Sequence, residues 1–188
     1  MKFFPPIFTI LVLFGCGSTE SKDVQKNAVV NKVFSQPQLP ANAVLAPDFI
    51  LSTTSGNLVK MSDLKGKVIL LNFWGTWCGP CRAEIPDFNN LHNKYNKDGL
   101  EIVGITLTSG SKARIQKFLK QWKMNYTILT DIKASETQNV TTLYGKATGG
   151  PIVGIPTTFL IDRNGYIVKR YLGPRFEKVF YNDIKPYL

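Results

Sequence analysis

The sequence predicts an α/β fold built on a mixed sheet. Three observations carry that prediction. Two continuous apolar runs, "VILLNFW" (Val68–Trp74) and "LEIVGITL" (Leu100–Leu107), are each followed by a segment with helical spacing. A late pair of runs, "TTFLID" (Thr157–Asp162) and "YIVKRYL" (Tyr166–Leu172), flanks Arg163-Asn164-Gly165 as a hairpin. A final helical pattern then closes the chain. Strand–helix–strand–helix followed by a hairpin and a helix implies an α/β sandwich with a mixed sheet.

Taken in order, Phe49–Leu51 and Leu58–Lys60 read as a hairpin around Ser55-Gly56, and Asp63–Lys67 as a turn. Val68–Trp74 has no polar alternation, which suits a strand buried on both faces. A helix follows from about Cys78 to Lys97, with Ile85, Phe88, Leu91 and Tyr95 on its apolar face. After the second buried strand, Ile115, Phe118, Leu119 and Trp122 fall at i, i+3, i+4 and i+7 of an amphipathic helix. A short strand near Ile128 leads to a shorter helix marked by Val140, Leu143 and Tyr144. Phe176, Val179, Phe180 and Ile184 give the last helix.

The first 43 residues read differently. Lys2 and the apolar stretch Ile7–Phe14 have the pattern of an export signal, too short to span a bilayer. Leu13-Phe14-Gly15-Cys16 resembles the lipobox of bacterial lipoproteins. That resemblance implies cleavage after residue 15 and a lipid on Cys16, anchoring the chain on the periplasmic or extracytoplasmic face of a membrane. Residues 16–43 are polar and hold Pro37 and Pro40 with no sustained period, so they read as a flexible tether. The folded domain is expected over 44–188.

The chain has 23 Lys and Arg against 13 Asp and Glu, a formal net charge of +10. The densest basic patch, Lys112, Arg114, Lys117, Lys120 and Lys123, reads as the solvated face of a helix, with attraction to anionic lipid as the alternative. No nucleic-acid motif accompanies it.

The chemistry centres on Cys78 and Cys81. Zinc needs three or four protein ligands, and the chain offers this pair and one histidine, His92. Covalent haem attachment needs His after the second Cys, where Arg82 stands. A static disulfide remains open, although so small a loop stabilises least. Thiol–disulfide exchange is the other reading. The pair sits where a buried strand turns into a helix, so Cys78 meets unpaired N–H groups and the positive dipole end, which favour a thiolate. Gly79-Pro80 suits the entry to the helix. Cys81 lies about one turn on, within reach of a mixed disulfide at Cys78. His92 reads as a helix residue without catalytic work.

Phe73–Cys81, "FWGTWCGPC", resembles the thioredoxin active site. With "MSDLKGKVILLNFWGTWCGPC", Glu84, Pro86 and "GIPTTFLIDRNG", residues 44–188 resemble the membrane-tethered TlpA/ResA-type thioredoxin-like proteins. The resemblance implies a thioredoxin-like fold with an added N-terminal β-hairpin. It implies Cys78 as nucleophile and Cys81 as resolving thiol, with no organic cofactor or metal. It implies a cis Ile155–Pro156 bond that, with Trp77, Gly79 and Pro80, forms the substrate-docking surface. The partners implied are disulfide-bearing exported proteins, apocytochromes among them, and a membrane electron donor.

Three departures stand out. Asn72 occupies the place of thioredoxin's buried aspartate and cannot titrate. Glu84 is the candidate replacement for a proton relay, against an exposed or ion-paired carboxylate. Gly79 stands where ResA-type proteins can carry Glu between the cysteines. "GKATGGPIVG" (Gly145–Gly154) also makes a long approach to Pro156, as a partner-shaping or plain surface loop. A peroxidase of the peroxiredoxin kind wants Thr three residues before its reactive Cys, where Gly75 stands.

Overall fold

The structure, a computed structural model, describes residues 1–2, 39, 41 and 43–188. The signal segment and Cys16 lie outside the described residues. Among the described residues, no helix is long and apolar enough to cross a membrane.

Eight strands form one mixed sheet in the order β1-β8-β7-β4-β5-β6-β2-β3. These are β1 (Val44–Leu45), β2 (Ile50–Thr53), β3 (Leu58–Lys60), β4 (Val68–Trp74), β5 (Leu100–Thr106), β6 (Thr127–Thr130), β7 (Thr157–Ile161) and β8 (Tyr166–Leu172). The helices are α1 (Gly79–Tyr95), α2 (Lys112–Gln121), α3 (Glu136–Ala147) and α4 (Glu177–Ile184). β4 runs parallel to β5 and antiparallel to β7, and β5 runs parallel to β6.

The absence of polar alternation in β4 and β5 has its cause here. Both strands are buried along their whole length, with helices over each face. Side chains of β4 alternate between two cores. Val68, Leu70 and Trp74 meet Phe88 and Leu91 of α1, Ile115 of α2 and Phe180 of α4. Ile69, Leu71 and Phe73 meet Val140 and Tyr144 of α3, with Phe49, Leu51 and Met61 of the N-terminal hairpin. The hairpin extends the sheet through β2, whose Ser52 and Thr53 pair with Thr130 and Leu129 of β6.

The structure corrects several expectations. The two-residue strand β1, paired with β8, was not expected from the sequence. The turn after β3 begins as a 3₁₀ helix over Met61–Leu64. α3 spans 12 residues and so outruns the 10-residue α2, contrary to the expectation of a shorter helix. Within it, Thr141 and Thr142 donate their hydroxyls to Thr137 O and Gln138 O one turn back, so their polar groups are met inside the helix.

At the lower end of β4, Gly99 turns the chain into β5 with φ of +98°. A Cβ there would meet the Arg163 guanidinium at 2.7 Å. Arg163 donates to Gly66 O, Asp98 O and Tyr187 O, tying three loops together. The opposite end of β4 carries the cysteines.

Candidate active site

β4 ends at Trp74, and the chain turns through Gly75-Thr76-Trp77 into α1. Trp74 O accepts from Leu107 N at 2.8 Å, and Thr76 N donates to Ser109 Oγ at 3.1 Å, fixing the turn to the loop after β5. Cys78 is the N-cap of α1, in extended conformation, and Gly79-Pro80 open the helix. Proline costs nothing there because its missing N–H would have no helical partner.

Cys78 and Cys81 are joined as a disulfide, with an S–S distance of 2.03 Å. Cys81 N donates to Cys78 Sγ at 3.2 Å. This is the bond an N-cap oxygen would ordinarily accept, and a thiolate at Cys78 accepts it more strongly than a neutral sulfur does. Arg82 N donates to Cys78 O at 3.1 Å, the first helical bond of α1. Both cysteines are nearly closed off, with 4% and 3% of their surface exposed. The exposed rim is Trp77, Gly79 and Pro80.

Across from the pair, the Ile155–Pro156 bond is cis. Ile155 O lies 3.7 Å from Cys78 Sγ. In the disulfide that sulfur has no proton to give, so the contact becomes a hydrogen bond only when Cys78 is a thiol. Thr157 Oγ1 donates to Gly154 O and Gly173 N to Pro156 O, which hold the corner.

Arg170 of β8 holds the long loop in front of that corner. Its guanidinium donates to Gly150 O at 3.1 Å and Pro151 O at 2.9 Å, and lies over the Phe159 ring. Gly145 lies close beneath: a Cβ there would meet Pro151 Cα at 3.1 Å, so the loop would have to give by a few tenths of an ångström. The sequence placed this loop but gave no sign of the arginine that anchors it.

Glu84 sits on α1 three residues beyond Cys81, on the same helix face. It is neither exposed nor paired with a charged side chain, which corrects that alternative. Only 2% of its surface reaches solvent. Its Oε1 accepts from Arg175 N at 2.7 Å, while Oε2 is buried with no hydrogen-bond partner among the described residues. Burial pushes its pKa up to about 7, and the Asp87 charge adds to the rise. The Arg175 hydrogen bond and charge pull the other way. Tyr126 packs nearby against Phe88. Burial first, and the Glu84 charge second, hold its hydroxyl above the ordinary tyrosine range.

Asn72 is buried in β4 and donates from Nδ2 to Thr158 Oγ1 of β7 at 2.9 Å. It is a fixed polar link between the strands beneath the site. Trp77 stands half out of the surface, its Nε1 shared between Leu107 O at 3.3 Å and Thr108 Oγ1 at 3.2 Å. A side chain at Gly75 would bring its Cβ within 2.9 Å of that nitrogen. The peroxidatic threonine therefore has no room without moving Trp77. His92 lies in the last turns of α1 and Pro86 within the helix, facing solvent.

Comparison with known proteins agrees with this geometry. The Redoxin family model matches residues 41–184. Thiol-disulfide oxidoreductase ResA of Bacillus subtilis (strain 168) is 34% identical over 163 residues, covering 84% of each chain. ResA of Geobacillus thermodenitrificans (strain NG80-2) is 36% identical over 155 residues, 82% of this chain and 80% of that one. The crystal structure of a thiol:disulfide interchange protein of the thioredoxin family from Chlorobium tepidum TLS superposes with a TM-score of 0.67. It is 31% identical, covering 79% of this chain and 98% of the other. A thioredoxin-like sheet, a redox pair capping α1 and relatives of this extent place the chain in the Redoxin family, as a ResA-like thiol–disulfide oxidoreductase with a Cys78–Cys81 pair.

Proposed function

We propose that the protein is an exported, lipid-anchored reductase of disulfides in exported client proteins. The observation that carries this reading is the placement of Cys78 at the N-cap of α1, facing Ile155 O across the cis-proline corner. In the reduced protein the Cys78 thiolate attacks one sulfur of the client disulfide. The client S–S bond breaks, a Cys78–client disulfide forms, and the departing client thiolate takes a proton. Cys81 then loses its proton and attacks Cys78 Sγ. The Cys78–Cys81 bond forms and the second client thiolate leaves. Two electrons pass to the client, and a membrane dithiol donor returns the pair to its reduced state.

Glu84 accepts the proton that Cys81 gives up. A carboxyl with pKa about 7 is divided between its two forms at neutral pH, as a proton acceptor needs to be. Client backbone docks against Ile155, Pro156 and the rim of Trp77, Gly79 and Pro80. Cys16 carries the lipid that keeps the domain at the membrane, and residues 17–43 let it reach clients there. Apocytochromes, whose haem-binding cysteines must be reduced, are the client class.

Cys81→Ser tests the reading, because it removes the resolving thiol and leaves the mixed disulfide standing. Expressed as the full chain, it is expected to accumulate adducts with exported proteins that disappear when Cys78→Ser is added. No adducts, with no reduction of hydroxyethyl disulfide by the native pair, would contradict it. Cys16→Ser is expected to release the protein from the membrane fraction, and retention of the lipid would refute the anchor.

A further inference from the structure

A groove of about 320 Å³ opens beside the cysteine pair. Trp77, Arg82, Arg114, Phe118, Gln121 and Trp122 line it. Trp77 directly precedes Cys78 and Arg82 directly follows Cys81, so whatever fills the groove touches the neighbours of both sulfurs. We propose that it seats an acidic stretch of the client polypeptide flanking the disulfide that Cys78 attacks. This rests on the exchange reading above and adds the class of client segment.

The groove is built rigidly. Phe118 and Trp122 stack with centroids 5.5 Å apart and planes at 18°, and Phe118 packs on Trp74 at 5.7 Å. Trp77 is fixed through its indole nitrogen to Leu107 and Thr108. The stem of Arg114 lies over Gly110, where an added Cβ would sit 3.1 Å from Arg114 Cδ. A pre-ordered wall of this kind loses little freedom when a ligand arrives.

Its charge is one-sided. Two guanidiniums face the groove and no carboxylate lines it. α2 holds Lys112, Arg114, Lys117 and Lys120 with no acidic residue, and Lys123 follows. Among the described residues, the ion pairs use Lys60, Lys67, Lys94 and Lys169, and none satisfies Arg82, Arg114, Lys117, Lys120 or Lys123. A guanidinium fork matches a carboxylate in two parallel hydrogen bonds, which suits Asp or Glu in an extended segment. A flat anionic membrane would meet the outer lysines of α2. The aromatic floor between half-buried Arg82 and exposed Arg114 fits a single chain better. The basic residues thus do more than solvate a helix face, and Phe118 and Trp122, which the sequence placed only by helical spacing, form the floor.

The test uses the reduced full-length chain in detergent and two disulfide-bonded peptides, identical except for Asp and Glu or Lys beside the disulfide. The acidic peptide is expected to be reduced about ten-fold faster at low salt. The advantage should shrink toward unity at ~1 M salt, where screening acts over about 3 Å. Arg114→Glu should remove or invert the ratio. Lys146→Glu, the same charge change on α3 across the sheet, should leave it intact. Equal rates in the native chain, or a ratio that survives Arg114→Glu, would overturn the proposal. So would an equal loss with Lys146→Glu, which would mark a net-charge effect. Binding to phosphatidylglycerol vesicles that depends on Arg114, with both peptides reduced alike, would overturn it in favour of a lipid surface. Reduction of neither peptide would sink the exchange reading and this proposal with it.

Discussion

Two buried carboxylates, Glu101 of β5 and Glu84 of α1, are treated in opposite ways. Glu101 lies in β5 at the end remote from the cysteines. Its oxygens take Lys67 Nζ at 3.0 Å and Thr127 Oγ1 at 2.9 Å, with Asn96 Nδ2 at 3.5 Å. Glu84 receives one backbone N–H and, among the described residues, nothing on its second oxygen. A buried charge with a full set of partners is a structural link between elements. A buried carboxyl left half satisfied favours its proton and titrates near neutrality. The difference separates a structural tie from a carboxyl poised to exchange a proton, the role proposed above for Glu84.

Several measurements sharpen or break this contrast, and the largest effect is expected at the cysteines themselves. Cys78→Ser should abolish turnover with any disulfide, because the nucleophile is gone. Residual turnover through Cys81 alone would show that the N-cap placement does not select the attacking sulfur. A stopped assay with hydroxyethyl disulfide decides it.

The two glutamates come next. Glu101→Ala removes the acceptor for Lys67 and Thr127, and should cost about 1–3 kcal/mol in urea unfolding without touching the pH profile of exchange. Glu84→Gln should do the reverse. The folded pKa of about 7 lies above the ordinary 4.5, so the folded chain binds the extra proton between those values. Stability from this group is therefore fully present below about pH 4.5 and is lost as pH rises through 7, by about 3 kcal/mol. The Gln variant keeps an oxygen for Arg175 N and carries no charge. It should match the native chain near pH 4 and exceed it near pH 8 by about 1–3 kcal/mol. It should also slow resolution of the mixed disulfide at neutral pH. A native-like fall in stability between pH 4.5 and 7 in Glu84→Gln would assign that titration elsewhere.

The smallest expected effect concerns the loop. Arg170→Ala removes two carbonyl partners and should cost about 1–2 kcal/mol. It should slow reduction of protein clients more than that of hydroxyethyl disulfide, which has no chain to dock.

The same contrast explains what could be read from the sequence. β4 and β8 have the boundaries expected, because a fully apolar run and a tight Gly turn are local signals. β1 has two residues and Leu45 is mostly exposed, so nothing local marks it. The cysteine pair and the proline corner were legible through their motifs. The state of Glu84 was not, because its partner Arg175 lies 91 residues away. Helical spacing places Glu84 on the face of Cys81, but burial and a missing second partner follow from how the segment before α4 closes over α1. The groove was hidden for a related reason. The spacing of Phe118 and Trp122 marks an apolar face, and it does not show that α2 leaves that face half open beside Trp77.

The most direct test is titration of the Glu84 carboxyl by carbon-13 NMR in the oxidised full-length chain. There the cysteines carry no proton, so the signal belongs to the carboxyl alone. A midpoint of about 7 is expected, from burial with a single hydrogen bond. A midpoint near the ordinary 4.5 would contradict the account of Glu84 as the site's proton acceptor.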